Sequence, residues 1–494
     1  MIRTFDESVK FLEKYIPTPI KKHPGKLGLE RMEKLVQLMG NPQLAYPTIH
    51  VGGTSGKGST STIIASILSQ KYKVGLHTSP HLVKITERIK IFFRNKKQIT
   101  KYISGDISGS EFIDLVNYIK PFVVKLEKSD LGAPSYFELV TAMAFEYFKR
   151  KKVDIAVVEV GMGGTYDATN VVRPLVAVLT NVGLDHTEIL GDTVKKIAGD
   201  KVGIIKKGIE MVSGVRQKSV VKIVESGIKS KESRLSLLGR DFSYKIKSVT
   251  EKGSVFDYFG DNGIKNLKLS MLGEFQVVNA ALAIRTVELV NQSFIFSLPN
   301  FSDAQPHFDF CCSGPSISAL GKHNFSSKGR SLKPASPAGR LAISDVRTGL
   351  KRAYIPGRME IVGRKPLVIL DGAHNQDKIR ALVRSIRTIF PSKKITAVVA
   401  IKNDKNARSM LEILLSICKK AVFTRFKINA DTGVIESYNH EMLYSQVKQL
   451  GYTIKTSIVD DPSEALKVTV AQAGKDDVII VTGSLYLVGQ VKKL

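Results

Sequence analysis

The stretch Val51-Gly52-Gly53-Thr54-Ser55-Gly56-Lys57-Gly58-Ser59-Thr60 constrains this chain more than any other. Thr48-Ile49-His50-Val51 before it reads as a short buried strand. The glycines make a tight turn, and Ser61 to Leu68 reads as the opening of a helix. A strand, a glycine loop, a lysine, hydroxyls and a helix N-terminus together make a phosphate cradle. Free backbone N–H groups and the positive helix end attract the anion, and Lys57 reaches toward the outer phosphates. Ser59 or Thr60 offers a hydroxyl to Mg²⁺. The loop departs from strict G-x-x-x-x-G-K-[ST] spacing: Val51 replaces the first glycine and Gly58 follows the lysine. The bland alternative is an ordinary glycine-rich turn. Gly-Lys-Gly-Ser-Thr on a strand–helix junction favours nucleotide binding, but it does not name a reaction.

The 494 residues suggest roughly two to four domains. Hydrophobic content of 43% marks a globular chain. The start, Met1-Ile2-Arg3-Thr4-Phe5, lacks a signal-peptide profile, and no apolar run is long enough to span a bilayer. The three cysteines, Cys311, Cys312 and Cys418, imply neither a disulfide framework nor a zinc site, so a reducing cytoplasm fits. The net charge of +29 is scattered in pairs such as Lys96-Lys97 and Lys419-Lys420, with no tryptophan and no interleaved aromatics. A solvated surface explains most of it, and the field would concentrate anionic substrates. Nucleic acid is not the expected partner, nor is a membrane.

Along the chain, polar residues gather at strand ends, where α/β sheets place ligands. Lys73 to His77 is a strand running into Thr78-Ser79-Pro80-His81. Val153 to Val160 is a buried parallel strand carrying Glu159 beside Gly161-Met162-Gly163-Gly164. A carboxylate there must be paired or hold a cation, and its position favours a Mg²⁺ ligand over a salt bridge. Leu175 to Thr180 ends in Asn181, Asp185 and His186. Ser135 and Glu138 have capping-box spacing. Phe137 is either core or a stacking platform for a planar ligand, and Lys201 sits on a helix over 194–205. Residues 210–270 alternate as a small antiparallel β section, and a last helix runs from about Leu272 to Val290. The segment 294–340, rich in Ser, Pro and Gly, reads as an insert. Pro356-Gly357-Arg358 looks like a hinge. Beyond it, strands at 367–370, 395–401 and 478–484 make a second, smaller α/β domain of parallel type.

These residues resemble the folylpolyglutamate synthase/dihydrofolate synthase family of the Mur ligase superfamily. The matching stretches include Gly28-Leu29-Glu30-Arg31, Gly53 to Thr60, Ser79-Pro80-His81-Leu82 with Thr86-Glu87-Arg88, Glu159 to Gly164, Asp167 to Asn170, Asp185-His186-Thr187, Asp200-Lys201-Val202-Gly203, Pro356-Gly357-Arg358, Asp371 to Asn375 and Thr482-Gly483-Ser484. They stand in family order over nearly the whole chain outside the insert. The resemblance implies a Mur-ligase-like α/β fold. A large P-loop-type ATPase domain (1–355), with a parallel central sheet and a small antiparallel section, would be joined by a hinge (356–360) to a smaller Rossmann-like C-terminal domain (361–494).

The resemblance also implies ATP-driven amide formation. The γ-phosphoryl group goes to a dihydropteroate or tetrahydrofolate carboxylate, and the amine of L-glutamate displaces it. Carried over by position, Gly53, Thr54, Ser55, Gly56, Lys57, Gly58, Ser59 and Thr60 would cradle the phosphates. Gln276, Asn279, Arg358, Asp371 and His374 would complete the ATP site. Ser59, Ser79, Glu159, His186 and a carbamylated Lys201 would gather Mg²⁺. Lys57, His186, Lys201 and Arg358 would be catalytic, and Phe137 and Asp167 would meet the pterin. A monomer is expected. Two departures stand out: Thr165-Tyr166 where the family has Arg-Leu, and Phe275 where it has His before Gln276. The alternatives are a cell-wall amino-acid ligase of the same superfamily and, from another class, a nucleic-acid-stimulated P-loop ATPase.

Overall fold

The structure, a computed structural model, describes residues 1–16, 25–93, 105–296, 340–431 and 433–493. Of the insert expected at 294–340, residues 297–339 lie outside the described residues.

The first sheet is built from β1 (Thr48–Gly52), β2 (Val74–His77), β3 (Ile89–Phe92), β4 (Gly105–Asp106), β5 (Ile155–Glu159), β6 (Pro174–Leu179), β7 (Glu210–Ser213) and β8 (Arg234–Leu237). Their order is β4-β3-β2-β5-β1-β6-β7-β8. The strands from β2 to β8 in this order pair in parallel, and β3 and β4 are added at one edge by antiparallel pairing, so that β3 alone runs in the opposite direction. The strands read as uninterrupted apolar runs because helices cover both faces. Ile49, Val51, Val157 and Val178 face a core shared with the helices Lys57–Leu68 and Glu274–Phe296. Ala156 and Val158 face the other, shared with the helices Gly109–Glu127 and Tyr136–Arg150.

The loop helix starts at Lys57, not at Ser61, so Lys57 to Thr60 form its first turn. Residues Ser59 to Leu68 are all buried, as befits a helix apolar on every side. Ser66 Oγ donates to Gly349 O at 2.8 Å, tying it to the helix Ile343–Arg352.

The expectation of an antiparallel section over 210–270 is half corrected. Residues 210–237 extend the parallel sheet as β7, the helix Lys218–Ser230 and β8. Val220 and Val224, buried and four residues apart, follow a helical repeat rather than an alternating one. Only β9 (Ser243–Thr250), β10 (Gly253–Phe259) and β11 (Ile264–Leu269) form an antiparallel sheet.

The second major sheet uses β12 (Glu360–Arg364), β13 (Leu367–Leu370), β14 (Ile395–Val399) and β15 (Cys418–Phe423). A separate hairpin, β16 (Lys427–Ala430) and β17 (Gly433–Glu436), precedes its last strands, β18 (Lys455–Ile458) and β19 (Val478–Thr482). The order is β12-β13-β19-β14-β15-β18, parallel except for the edge strand β12. Cores lie on both faces: Ile369, Ala397 and Ile480 on one, Leu370, Val398 and Val481 on the other. Among the described residues no helix is long and apolar enough to cross a membrane.

Candidate active site

The carboxyl ends of β1, β5, β6 and β2 converge. Val51 pairs with Glu159, Gly52 with Leu179 and His77 with Val158. The glycine loop leaves β1 between its two neighbours. Gly53 (φ 137°) and Gly56 (φ 83°) take conformations that side chains disfavour. A Cβ on Gly53 would stand 2.0 Å from Thr180 Oγ1, and one on Gly56 2.4 Å from Asn279 Oδ1. The strand beside it fixes the loop. Ser55 N donates to Asn181 Oδ1 at 2.8 Å, Thr54 Oγ1 to Gly183 O at 3.2 Å, and Thr180 Oγ1 to Ser55 O at 2.6 Å.

Two lysines converge on one carbonyl. Lys57 Nζ and Lys201 Nζ each donate to Gly53 O at 3.2 Å. Burial, reinforced by the Lys57 charge, lowers the Lys201 ammonium to about 8. Glu159 is 4% exposed. Burial raises its pKa against the opposing charges of Lys57 and Arg358, and Ser79 N donates to it at 3.1 Å. Gly58 adjoins its carboxylate: a Cβ there would lie 3.4 Å from Oε2. Ser59 is buried beside it in the first turn, and Thr60 Oγ1 is sealed without a hydrogen-bond partner. His186 has left-handed backbone (φ 52°), and burial lowers its imidazole to about 4, so it is a neutral ring with a lone pair at neutral pH.

Gln276 and Asn279 lie on the first turns of the helix Glu274–Phe296. Asn279 Nδ2 donates to Gln276 Oε1 at 2.9 Å, while the Gln276 amide nitrogen is buried without a partner. Phe275 packs on Gly273 and against the core of the second sheet, so the residue standing for the family histidine serves packing. Thr165 is likewise used structurally, its Oγ1 donating to Asp200 O at 2.8 Å.

The second sheet presents its own strand ends. Asp371, after β13, accepts from Met359 N and Ala373 N at 2.9 Å each. His374 Nδ1 meets Gly372 O at 2.8 Å, and its Nε2 meets Lys378 Nζ at 2.7 Å. A carbonyl only accepts, so Nδ1 carries the proton and Nε2 accepts from the lysine. Arg358 lies against Gly372 and within electrostatic reach of both Asp371 and Glu159.

Phe137 lies against Gly161, its ring centroid 6.2 Å from that of His77. Glu138 caps its helix as expected and also accepts both arms of Arg31. Asp167 is buried and committed to its own loop, accepting from Met162 N at 2.9 Å, Thr169 N at 3.0 Å and the Thr169 hydroxyl.

The sequence reading assigned no role to the lysines that meet Asp185. This carboxylate, with its side chain 8% exposed, accepts from Asn375 Nδ2 and Lys405 Nζ, each at 3.1 Å, and lies 3.6 Å from Lys378 Nζ. All three partners come from loops and a helix of the second sheet. Two signals existed. Lys378 falls one helical turn after His374. Lys405 lies in the polar loop that follows β14. Among the described residues no three or more His, Cys, Asp or Glu side chains form a metal-ligand cluster. The donors present suit a cation that arrives with phosphate oxygens and water.

Two family profiles match the chain: the Mur ligase middle domain over residues 51–287, and the dihydrofolate synthetase C-terminal domain over residues 357–494. The dihydrofolate synthase/folylpolyglutamate synthase of Bacillus subtilis (strain 168) is 30% identical over 472 residues, covering 95% of each chain. The chain belongs to the dihydrofolate synthase/folylpolyglutamate synthase family of Mur ligases. The crystal structure of the Thermotoga maritima folylpolyglutamate synthase superposes with a TM-score of 0.75 at 32% identity, covering 99% of this chain and 96% of that one. The Mycobacterium tuberculosis folylpolyglutamate synthase complexed with ADP gives 0.80 at 25% identity, covering 99% and 97%. As a family member the protein is an enzyme, an ATP-dependent ligase that forms an amide bond in folate metabolism.

Proposed function

We propose that the enzyme joins L-glutamate to the carboxylate of dihydropteroate or a tetrahydrofolate through an acyl phosphate. The observation that carries this reading is the meeting of the Glu159 carboxylate, the Lys57 ammonium and the free N-terminus of the loop helix at adjacent strand ends. That arrangement supplies donors for ATP phosphates and one carboxylate for their cation.

In this reading Lys57 and Arg358 hold the transferring phosphoryl group from opposite sides. Ser59, Ser79, Glu159 and His186 are the groups that would hold Mg²⁺, which supplies charge neutralisation of the phosphates when bound. Lys201 joins them as a carbamate. Its lowered pKa favours this, because only the neutral amine reacts with CO₂. Gln276, Asn279, Asp371 and His374 serve the nucleotide in this reading, and the ADP complex of the Mycobacterium tuberculosis relative supports nucleotide binding itself. Phe137 offers a face to the pterin, and Asp167 shapes the loop under it. A carboxylate is a poor electrophile. Phosphorylation gives it a leaving group, and the cationic rim stabilises the charge that develops. The division into 1–355, a hinge at 356–360 and 361–494, a monomeric state and a cytoplasmic setting belong to the same reading.

The test is phosphate release from ATP in the presence of dihydropteroate or a tetrahydrofolate, with and without L-glutamate. Glutamate-dependent release accompanied by a glutamylated product supports the proposal. Release indifferent to glutamate but stimulated by DNA would overturn it. Running both acceptors in parallel separates the synthase from the polyglutamylating activity.

A further inference from the structure

The loop between β2 and β3 starts in the site of the first sheet and reaches across to the second. At its start, Ser79 N donates to the Glu159 carboxylate at 3.1 Å. At its middle, Leu82 packs into the core on one face of the second sheet. Its backbone lies so close to the helix Leu485–Lys492 that a Cβ on Gly489 would stand 2.2 Å from Leu82 O. At its end, Arg88 is 0% exposed. Arg88 Nη2 donates to Asp431 Oδ1 at 2.7 Å, and Nη1 stands 2.7 Å from Oδ2. Asp431 sits at the end of the β16–β17 hairpin, 343 residues away in sequence. Arg88 Nε donates to His81 Nδ1 at 2.9 Å, and the guanidinium lies 5.7 Å from the Tyr136 ring centroid.

The loop is also stiff. The Glu87 carboxylate accepts from the amides of Leu82, Val83 and Lys84 at 2.8, 3.0 and 2.9 Å. Its two ends are joined by Thr78 N donating to Arg88 O at 3.2 Å. A segment cross-tied in this way moves as a unit, so a displacement at Leu82 or Arg88 is carried to Ser79.

We infer that Leu82 and Arg88 are positioning residues. By seating on the C-terminal half they set Ser79 against Glu159, so that the site carboxylate has its amide partner only when the two halves are docked. Glu159 itself is on β5 and stays where the sheet puts it. What docking supplies is its amide partner and the wall of the cleft around it. The contacts of Leu82 and Arg88 described above run to the C-terminal half, His81 and Tyr136 rather than to the glycine loop, so nucleotide affinity and turnover separate in their variants. For its kinetic readout only, the inference rests on the proposed reaction.

Two variants test it from the far side of the interface, in the full-length enzyme. Gly489→Ala sets a methyl group against Leu82 O within a helix that accepts alanine. Asp431→Asn removes the charge opposite Arg88, with Asp431→Glu as the conservative control. The first readout is hydrogen exchange at the Ser79 amide, which needs no substrate. Exchange about tenfold faster in Gly489→Ala and Asp431→Asn, and restored toward the parent in Asp431→Glu, is expected. Exchange unchanged in both Gly489→Ala and Asp431→Asn would overturn the inference. The second readout pairs kcat with ADP affinity. A fall in kcat of about tenfold with ADP Kd within about twofold is expected. A kcat equal to the parent's also overturns it. If the parent shows no glutamate-dependent turnover, the proposed reaction fails, and the exchange result still decides the inference.

Discussion

The cations on the two sides of the cleft are held differently. On the glycine-loop side they end on backbone carbonyls: Lys57 and Lys201 on Gly53 O, and Lys206 on Asn170 O at 2.8 Å. Between the two sides cations meet carboxylates instead: Lys378 and Lys405 of the C-terminal side meet Asp185, and Arg88 of the glycine-loop side meets Asp431. A buried ammonium on a neutral carbonyl keeps most of its charge uncompensated, and burial lowers both Lys201 and Lys206 to about 8. Lys405, hydrogen-bonded to Asp185 at 3.1 Å, is raised instead, whereas Lys378, 3.6 Å from Asp185 and against His374 Nε2, is lowered to about 7, chiefly by burial. Of the first group, Lys57 and Lys201 stand at the glycine loop, where backbone amides and a helix N-terminus favour an incoming anion. The second already has one and uses it to hold two parts of the molecule together. Positive charge therefore does two jobs here, and the partner of each cation tells which.

The largest effects should come from the first group and the carboxylate it faces. Lys57→Ala and Glu159→Gln should each lower the ligation rate by at least ~10³-fold, the scale expected for losing charge stabilisation of phosphoryl transfer. Thermal unfolding should move by no more than about 3 °C, because neither side chain anchors a core. Wild-type-like turnover in either variant would remove that residue from the site.

Asp185→Asn should act on the holding contacts instead. It leaves two buried lysines less compensated and should lower kcat/KM by about 10–100-fold. ADP affinity should stay within about twofold. An equal loss in both quantities would place Asp185 with the nucleotide-binding groups and erase the contrast.

Lys206 tests the cost of an unpaired cation by its pH dependence. Its folded pKa is about 8, lowered chiefly by burial, against a reference of 10.5. Between these values the unfolded chain binds the additional proton, so the parent gains stability as pH rises through that window. Lys206→Met lacks this gain. Its stability relative to the parent should therefore fall by on the order of 1–3 kcal/mol between pH 8 and 10.5. Denaturant unfolding at several pH values measures it, and a flat difference would contradict the assignment.

Phe275→Ala should have the smallest effect on the site. Loss of its packing should cost about 1–2 kcal/mol of stability, with ADP Kd changed less than about twofold.

How much of this was legible in the sequence depended on distance along the chain. The glycine loop, Glu159 and His186 lie in short contiguous stretches at strand ends, and local pattern is enough to find them. Asp185 was visible beside His186, but its partner Lys405 is 220 residues away, and no local pattern announces such a pair. Arg88 stood in a recognised motif, yet only the fold brings Asp431 to it. The misreading of 210–237 has another cause. Short valine-rich segments satisfy alternating and helical periods alike, and the neighbouring parallel strands settle which applies. Phe275 is the reverse case: the sequence marks it as a departure from the family histidine, and only the fold shows that its side chain packs against the core of the second sheet.

The central claim is that Lys57 meets the transferring phosphate while Glu159 meets its cation. A crystal structure with Mg²⁺ and a non-hydrolysable ATP analogue tests it most directly. The account predicts the terminal phosphates on the amides of Ser55 to Thr60, Lys57 Nζ moved from Gly53 O onto a phosphate oxygen, and Glu159 directed at the cation. Lys57 still bound to Gly53 O, with the nucleotide seated elsewhere and Glu159 facing no cation, would contradict it.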